Sequence, residues 1–135
     1  MSGKATCQCG QLSLTCPGAP EFTVVCNCKQ CQVRSGSAFA FAAFFRRDAV
    51  TVEGEAKQWA RPARSGTDLV NNFCPDCGTS LFWAPGNRPD FYGVAAGCLE
   101  TAAPEPANVI WLSEKQDWLN FPDHWGHHDE ALKPS

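Results

Sequence analysis

Seven of the nine cysteines stand in three tight groups: Cys7 and Cys9; Cys26, Cys28 and Cys31; Cys74 and Cys77. Thiolate sulfur is a soft ligand, and clustered cysteines in a reducing compartment are metal ligands more often than disulfides. Four thiolates close a tetrahedral zinc site and make it structural. Three leave one position free for water or substrate, the arrangement zinc uses in catalysis. Seven divides as four plus three, which suits two metals with different work.

Cys74-Pro75-Asp76-Cys77-Gly78 has the form of a zinc-ribbon turn, in which the glycine lets the backbone turn sharply beneath the metal. Cys7-Gln8-Cys9-Gly10 says less alone, but it supplies the missing half of a four-thiolate site with Cys74 and Cys77. A metal joining such distant positions closes a long loop, and its binding energy becomes folding energy. Cys26-Asn27-Cys28-Lys29-Gln30-Cys31 offers three thiolates without an obvious fourth. In one reading Cys16 or Cys98 completes a second closed site; in the sharper one the site stays open. Lys29 and Arg34 bring positive charge that helps keep these thiols deprotonated.

Short elements must position these groups. The chain has 135 residues, 44% apolar and 19% charged, enough for one globular domain. Ten prolines and eleven glycines cut it into short pieces. Alternation or β-rich composition predicts strands over Gln11–Thr15, Phe22–Cys26, Ser37–Phe45, Ala49–Glu53, Leu69–Phe73, Ser80–Trp83, Phe91–Ala95 and Asn108–Leu112. The run from Ser37 to Phe45 is nearly all apolar, as expected of a buried central strand. Short helical turns are expected over Cys28–Arg34 and over Ser113–Leu119, the latter with Ser113 as N-cap. Residues 1–122 read as one zinc-binding domain and 123–135 as a polar, frayed tail.

The net charge of −3 disfavours a nucleic-acid surface, and no stretch approaches the roughly 20 apolar residues of a membrane span. The expectation is a cytoplasmic protein with neither nucleic-acid nor membrane partner.

The order C-x-C-G, C-x-C-x-x-C and F-C-P-x-C-G-T-x-L-F resembles the glutathione-dependent formaldehyde-activating enzyme (GFA) family. Gly36-Ser37-Ala38-Phe39, the run from Phe73 to Phe82, Ile110-Trp111 and Trp118-Leu119 extend the likeness over nearly the whole chain. The resemblance implies a mainly β, single-domain, zinc-stapled complex fold with short helical turns. It implies two Zn²⁺ per chain: a structural one on Cys7, Cys9, Cys74 and Cys77, and a catalytic one on Cys26, Cys28 and Cys31. The implied activity is condensation of glutathione with formaldehyde to S-hydroxymethylglutathione, a carbon–sulfur lyase running in reverse. Cys98 departs from the pattern, standing where the family usually has serine.

A zinc with three thiolates suits a substrate thiol as its fourth ligand, because bound thiol ionises at neutral pH. Glutathione carries two carboxylates, so Lys29, Arg34, Arg46, Arg47, Arg61 and Arg64 are candidates to hold it. An open trithiolate oxidises easily, so the three-cysteine site is expected to lose part of its zinc in isolated protein. The alternative is a non-catalytic zinc-binding thiol carrier or protein-interaction module. It has support in the lack of an acid–base residue near the cysteine motifs.

Overall fold

The computed structural model describes residues 2–132. Eleven strands form two sheets: β1 (Ser2–Thr6), β2 (Ser13–Pro17), β3 (Phe22–Cys26), β4 (Ala40–Arg46), β5 (Thr51–Glu53), β6 (Lys57–Pro62), β7 (Asp68–Phe73), β8 (Ser80–Pro85), β9 (Phe91–Ala95), β10 (Asn108–Ile110) and β11 (Gly126–His127). The small sheet has the order β1-β2-β5, and the large one β11-β10-β3-β4-β9-β8-β7-β6. The α-helix α1 (Lys29–Ser35) directly follows β3. Among the described residues no helix is long and apolar enough to cross a membrane.

Strand β4 lies between β3 and β9, which explains its unbroken apolar composition. Side chains alternate along a strand, so its even and odd positions serve different layers. Ala43 and Phe45 face the small sheet and pack with Ala5, Leu12, Leu14, Phe82 and Val94. Ala42 and Phe44 face the other way and pack with Val24 and Trp83, flanked by Phe22, Leu69 and Ile110. The registers Phe22↔Phe44, Val24↔Ala42 and Cys26↔Ala40 put Cys26 on this second face. The large sheet therefore has one face that closes the core and one that lies beneath the three-cysteine loop.

Trp83 reaches the second face only because its cross-strand neighbour is a glycine. A Cβ on Gly93 would sit 2.3 Å from the Trp83 ring. Gly93→Ala must move the indole, and overpacking of this kind costs about 1–3 kcal/mol. Urea denaturation measures this; an unchanged midpoint would show that the ring has room to move.

The expected strands are all present, with ends shifted by a few residues. Three more appear: β1, β6 and β11. Two expectations need correction. Ser113–Leu119 forms only a 3₁₀ turn over Leu112–Glu114, and Ser113 is not its N-cap. Trp111 precedes this turn with φ +56°, and its left-handed backbone fixes a different chain direction from the one Ser113 would have set. The segment after 122 is not frayed through the described residues. Gly126–His127 pairs parallel to β10, and Leu112 N–H, Ser113 N–H and Trp111 N–H donate to the carbonyls of His128, Asp129 and Glu130. Its polar side chains anchor it: Glu105 accepts 2.6 Å hydrogen bonds from Trp125 Nε1 and His124, and His128 bonds Asn108.

Candidate metal centres

The four sulfurs of Cys7, Cys9, Cys74 and Cys77 lie within 4.8 Å of one another, and so do those of Cys26, Cys28 and Cys31. Two edges of the first group, Cys7–Cys9 and Cys9–Cys74, measure 3.7 Å. A tetrahedron of sulfurs about 2.3 Å from zinc has edges of about 3.8 Å. The residues present thus fit a closed tetrathiolate centre.

The first cluster joins the two sheets. Cys7 and Cys9 follow β1 in the small sheet, while Cys74 and Cys77 lie in the turn between β7 and β8 of the large one. Gly78, at φ +81°, completes the turn, with Gly78 N–H donating to the Cys74 carbonyl. Further donors surround the sulfurs: Leu12 N–H to Cys7 at 3.3 Å, Gln11 Nε2 to Cys74 at 3.2 Å, and the Thr79 hydroxyl at 3.2 Å from Cys77. The Thr79 hydroxyl and then its N–H pull the Cys77 thiol down to about 5. Hydrogen bonds of this sort spread the charge of a thiolate cluster.

The second cluster is local. Cys26 ends β3, Cys28 caps α1, and Cys31 lies in the first turn of that helix. Cys31 N–H donates to Cys28 Sγ at 3.4 Å. The Cys26 thiol, then the Cys31 thiol, hydrogen-bond Cys28 and hold it well below the ordinary thiol range; Arg61 acts the same way. The same contacts push Cys26 up.

Neither Cys16 nor Cys98 joins this group among the described residues. Burial pushes the Cys16 thiol up to about 11, and raises that of Cys98.

The loop carrying the trithiolate is held by residues without a sequence motif. Asn27, fully buried, donates through Nδ2 to the Ile110 carbonyl at 2.9 Å. Gln32 Nε2 donates to the carbonyls of Asn27 at 2.7 Å and Glu114 at 2.9 Å. Glu114 Oε1 accepts from Lys29 N–H at 2.7 Å, at the start of α1. Gln32→Ala leaves two carbonyls short of a donor. We expect a loss of about 1–3 kcal/mol in urea denaturation; a loss below about 0.5 kcal/mol would show that water substitutes.

The three cysteines open onto a cavity of about 520 Å³. Lys29, Arg61, Arg64 and Arg88 line it, with no carboxylate or imidazole among the described lining residues. Arg64 pairs with Glu114 at 2.6 Å and lies over Trp111 at 4.1 Å. Of the other expected cations, Arg34 stacks on Trp83, Arg46 pairs with exposed Asp48, and Arg47 stacks on Tyr92. Arg88 comes from a loop with no motif to mark it.

A two-sheet β domain with one four-sulfur and one three-sulfur cluster defines a class, small β domains whose clustered thiols could hold metal. Within that class the chain belongs to the family of the glutathione-dependent formaldehyde-activating enzyme, whose model matches residues 2–114. A crystal structure of a Rhodobacter sphaeroides protein, a structural genomics target, is similar to it with a TM-score of 0.60 and 25% identity. That match covers 75% of this chain and 91% of the other. No curated protein matches the chain.

Proposed function

We propose that this protein is a zinc-dependent carbon–sulfur lyase acting on adducts of a small acidic thiol, glutathione and formaldehyde being the pair named by the family. Cys26, Cys28 and Cys31 would hold the catalytic Zn²⁺, and Cys7, Cys9, Cys74 and Cys77 a structural one. The observation that carries this reading is a three-sulfur cluster, without a fourth protein ligand among the described residues, opening onto a cavity lined with cations.

Bound at Cys26, Cys28 and Cys31, zinc would supply a soft Lewis acid that favours the ionised form of a thiol at neutral pH. The chain's own residues do the rest. Arg61 and Arg64 line the cavity and suit the thiol's carboxylates through charge-assisted hydrogen bonds. Glu114 ties Arg64 to the N–H of Lys29, so the anion-binding group and the cysteine loop share one anchor. Fixing thiol and aldehyde side by side replaces a bimolecular encounter, the largest gain open to a site without an acid or base. Water gives the proton to the new hydroxyl.

The second reading, a thiol carrier without catalysis, draws on the same lack of carboxylate and imidazole among the described lining residues. Turnover separates the two. With both sites zinc-loaded, consumption of formaldehyde by glutathione should exceed the spontaneous rate in proportion to protein concentration. Stoichiometric binding of glutathione without acceleration would favour the carrier.

A further inference from the structure

The floor of the cavity does not suit what its cations suit. Glutathione is polar along its length, and formaldehyde has a single carbon. Yet between β3, β4, β8 and β10 the cavity is floored by Phe22, Val24, Ala42, Phe44, Trp83 and Ile110. The alternation of the sheet places Cys26, Val24 and Phe22 in one row on this face. The row runs about 13 Å from the thiol to the far phenyl ring at the usual rise of a strand. Phe22 stacks on Phe44 at 4.6 Å, and Phe44 meets Trp83 edge-on at 6.4 Å, so the floor is continuous. Phe22 and Ile110 remain partly exposed beside it. The cations border this floor: Lys29 follows Cys28, Arg61 and Arg64 come from β6 and the turn after it, Arg88 lies over Phe22 at 5.2 Å and Arg34 over Trp83 at 4.1 Å, which leaves Val24, Ala42 and Phe44 as the stretch with no cation stacked on it.

We propose that the aldehyde side of the adduct is apolar: the cavity takes acidic thiols joined to a medium-chain or aromatic aldehyde, with the tail lying along β3. This deepens the thiol-adduct reading above and rests on it for the reaction. In the forward step the thiol gives its proton to water, its sulfur forms a bond to the carbonyl carbon, the carbon–oxygen π bond breaks, and water returns a proton to the oxygen. The reverse step breaks the carbon–sulfur bond and returns that proton. No oxidant or reductant takes part.

Stable S-alkylglutathiones test the floor without turnover. Each methylene buried on an apolar surface should tighten binding about fourfold. Calorimetric titration of the zinc-loaded protein with S-methyl, S-propyl and S-hexyl glutathione should give dissociation constants falling with chain length. S-hexyl should bind at least about tenfold tighter than S-methyl, with a more negative heat-capacity change. Ala42→Phe, which fills the floor, should flatten the series. If that variant does not fold, Leu69→Asn at the floor's edge should reduce the slope. A flat series in the native protein, or binding that weakens with length, overturns the proposal.

Formaldehyde turnover, measured separately, distinguishes the two failures. Turnover with a flat alkyl series sinks the apolar tail alone. A steep series without turnover of any aldehyde sinks the reaction and leaves the apolar subsite standing.

Discussion

Cys74→Ser should leave no cooperatively folded protein at physiological temperature. Structural zinc in small domains binds with an apparent free energy of about 10–16 kcal/mol, whereas a domain's whole net stability is about 5–15 kcal/mol. Removing one of four thiolates forfeits a large part of the first figure, because a serine hydroxyl is neither soft nor ionised at neutral pH. Cys74 is fully buried between the sheets, beside Cys7, Leu12 and Leu81. Gln11 Nε2 would lose its sulfur acceptor as well. Thermal denaturation followed by circular dichroism should show no sigmoidal transition, or one lowered by tens of degrees. A melting temperature within a few degrees of the native protein would mean that the sheets hold together without this clip.

Cys28→Ser should do the opposite: keep the fold and lose the chemistry. Cys28 is the N-cap of α1, and its sulfur already accepts the Cys31 N–H. Serine is among the best N-cap residues, so the helix start survives. Two remaining thiolates hold zinc poorly, and zinc content should fall from two per chain toward one. Loss of several kcal/mol of transition-state stabilisation corresponds to a fall of about 10³-fold in kcat/KM. Zinc analysis beside the melting curve separates the cases. Retained activity in a folded protein with one zinc would place the chemistry elsewhere.

The two variants differ because the clusters are built differently, and that difference was legible in the spacing. Cys26, Cys28 and Cys31 lie at one strand–helix junction, so local geometry alone brings them together. Cys7, Cys9, Cys74 and Cys77 come from two sheets and meet only in the finished fold. The central strand was legible too, since β4 lies between β3 and β9 and is apolar from Ala40 to Phe45, with only its last residue, Arg46, exposed.

What escaped the sequence had weak local signals. Strand β6 is exposed at nearly every position and lies at the edge of the sheet, so burial imposes no alternation on it. Strand β11 has two residues, and pairing with β10 defines it. Asn27, Gln32 and Glu114 hold the trithiolate loop through backbone carbonyls and N–H groups, contacts that carry no spacing rule. Arg88 reaches the cavity through tertiary folding, whereas Arg46, the last residue of β4, and Arg47, which opens the 3₁₀ turn after it, find partners at Asp48 and Tyr92. No motif or spacing marks Phe44 and Trp83 as more than packing residues. They do pack, but on the face that also floors the cavity.

X-ray absorption at the zinc edge tests the division into four and three most directly. Freshly reduced, fully loaded protein should give about 3.5 sulfurs per zinc, the mean of a closed tetrathiolate and an open trithiolate site. Adding glutathione should raise this to about 4. Four sulfurs before any thiol is added, or an average that glutathione does not change, would contradict an open site that receives the substrate thiol.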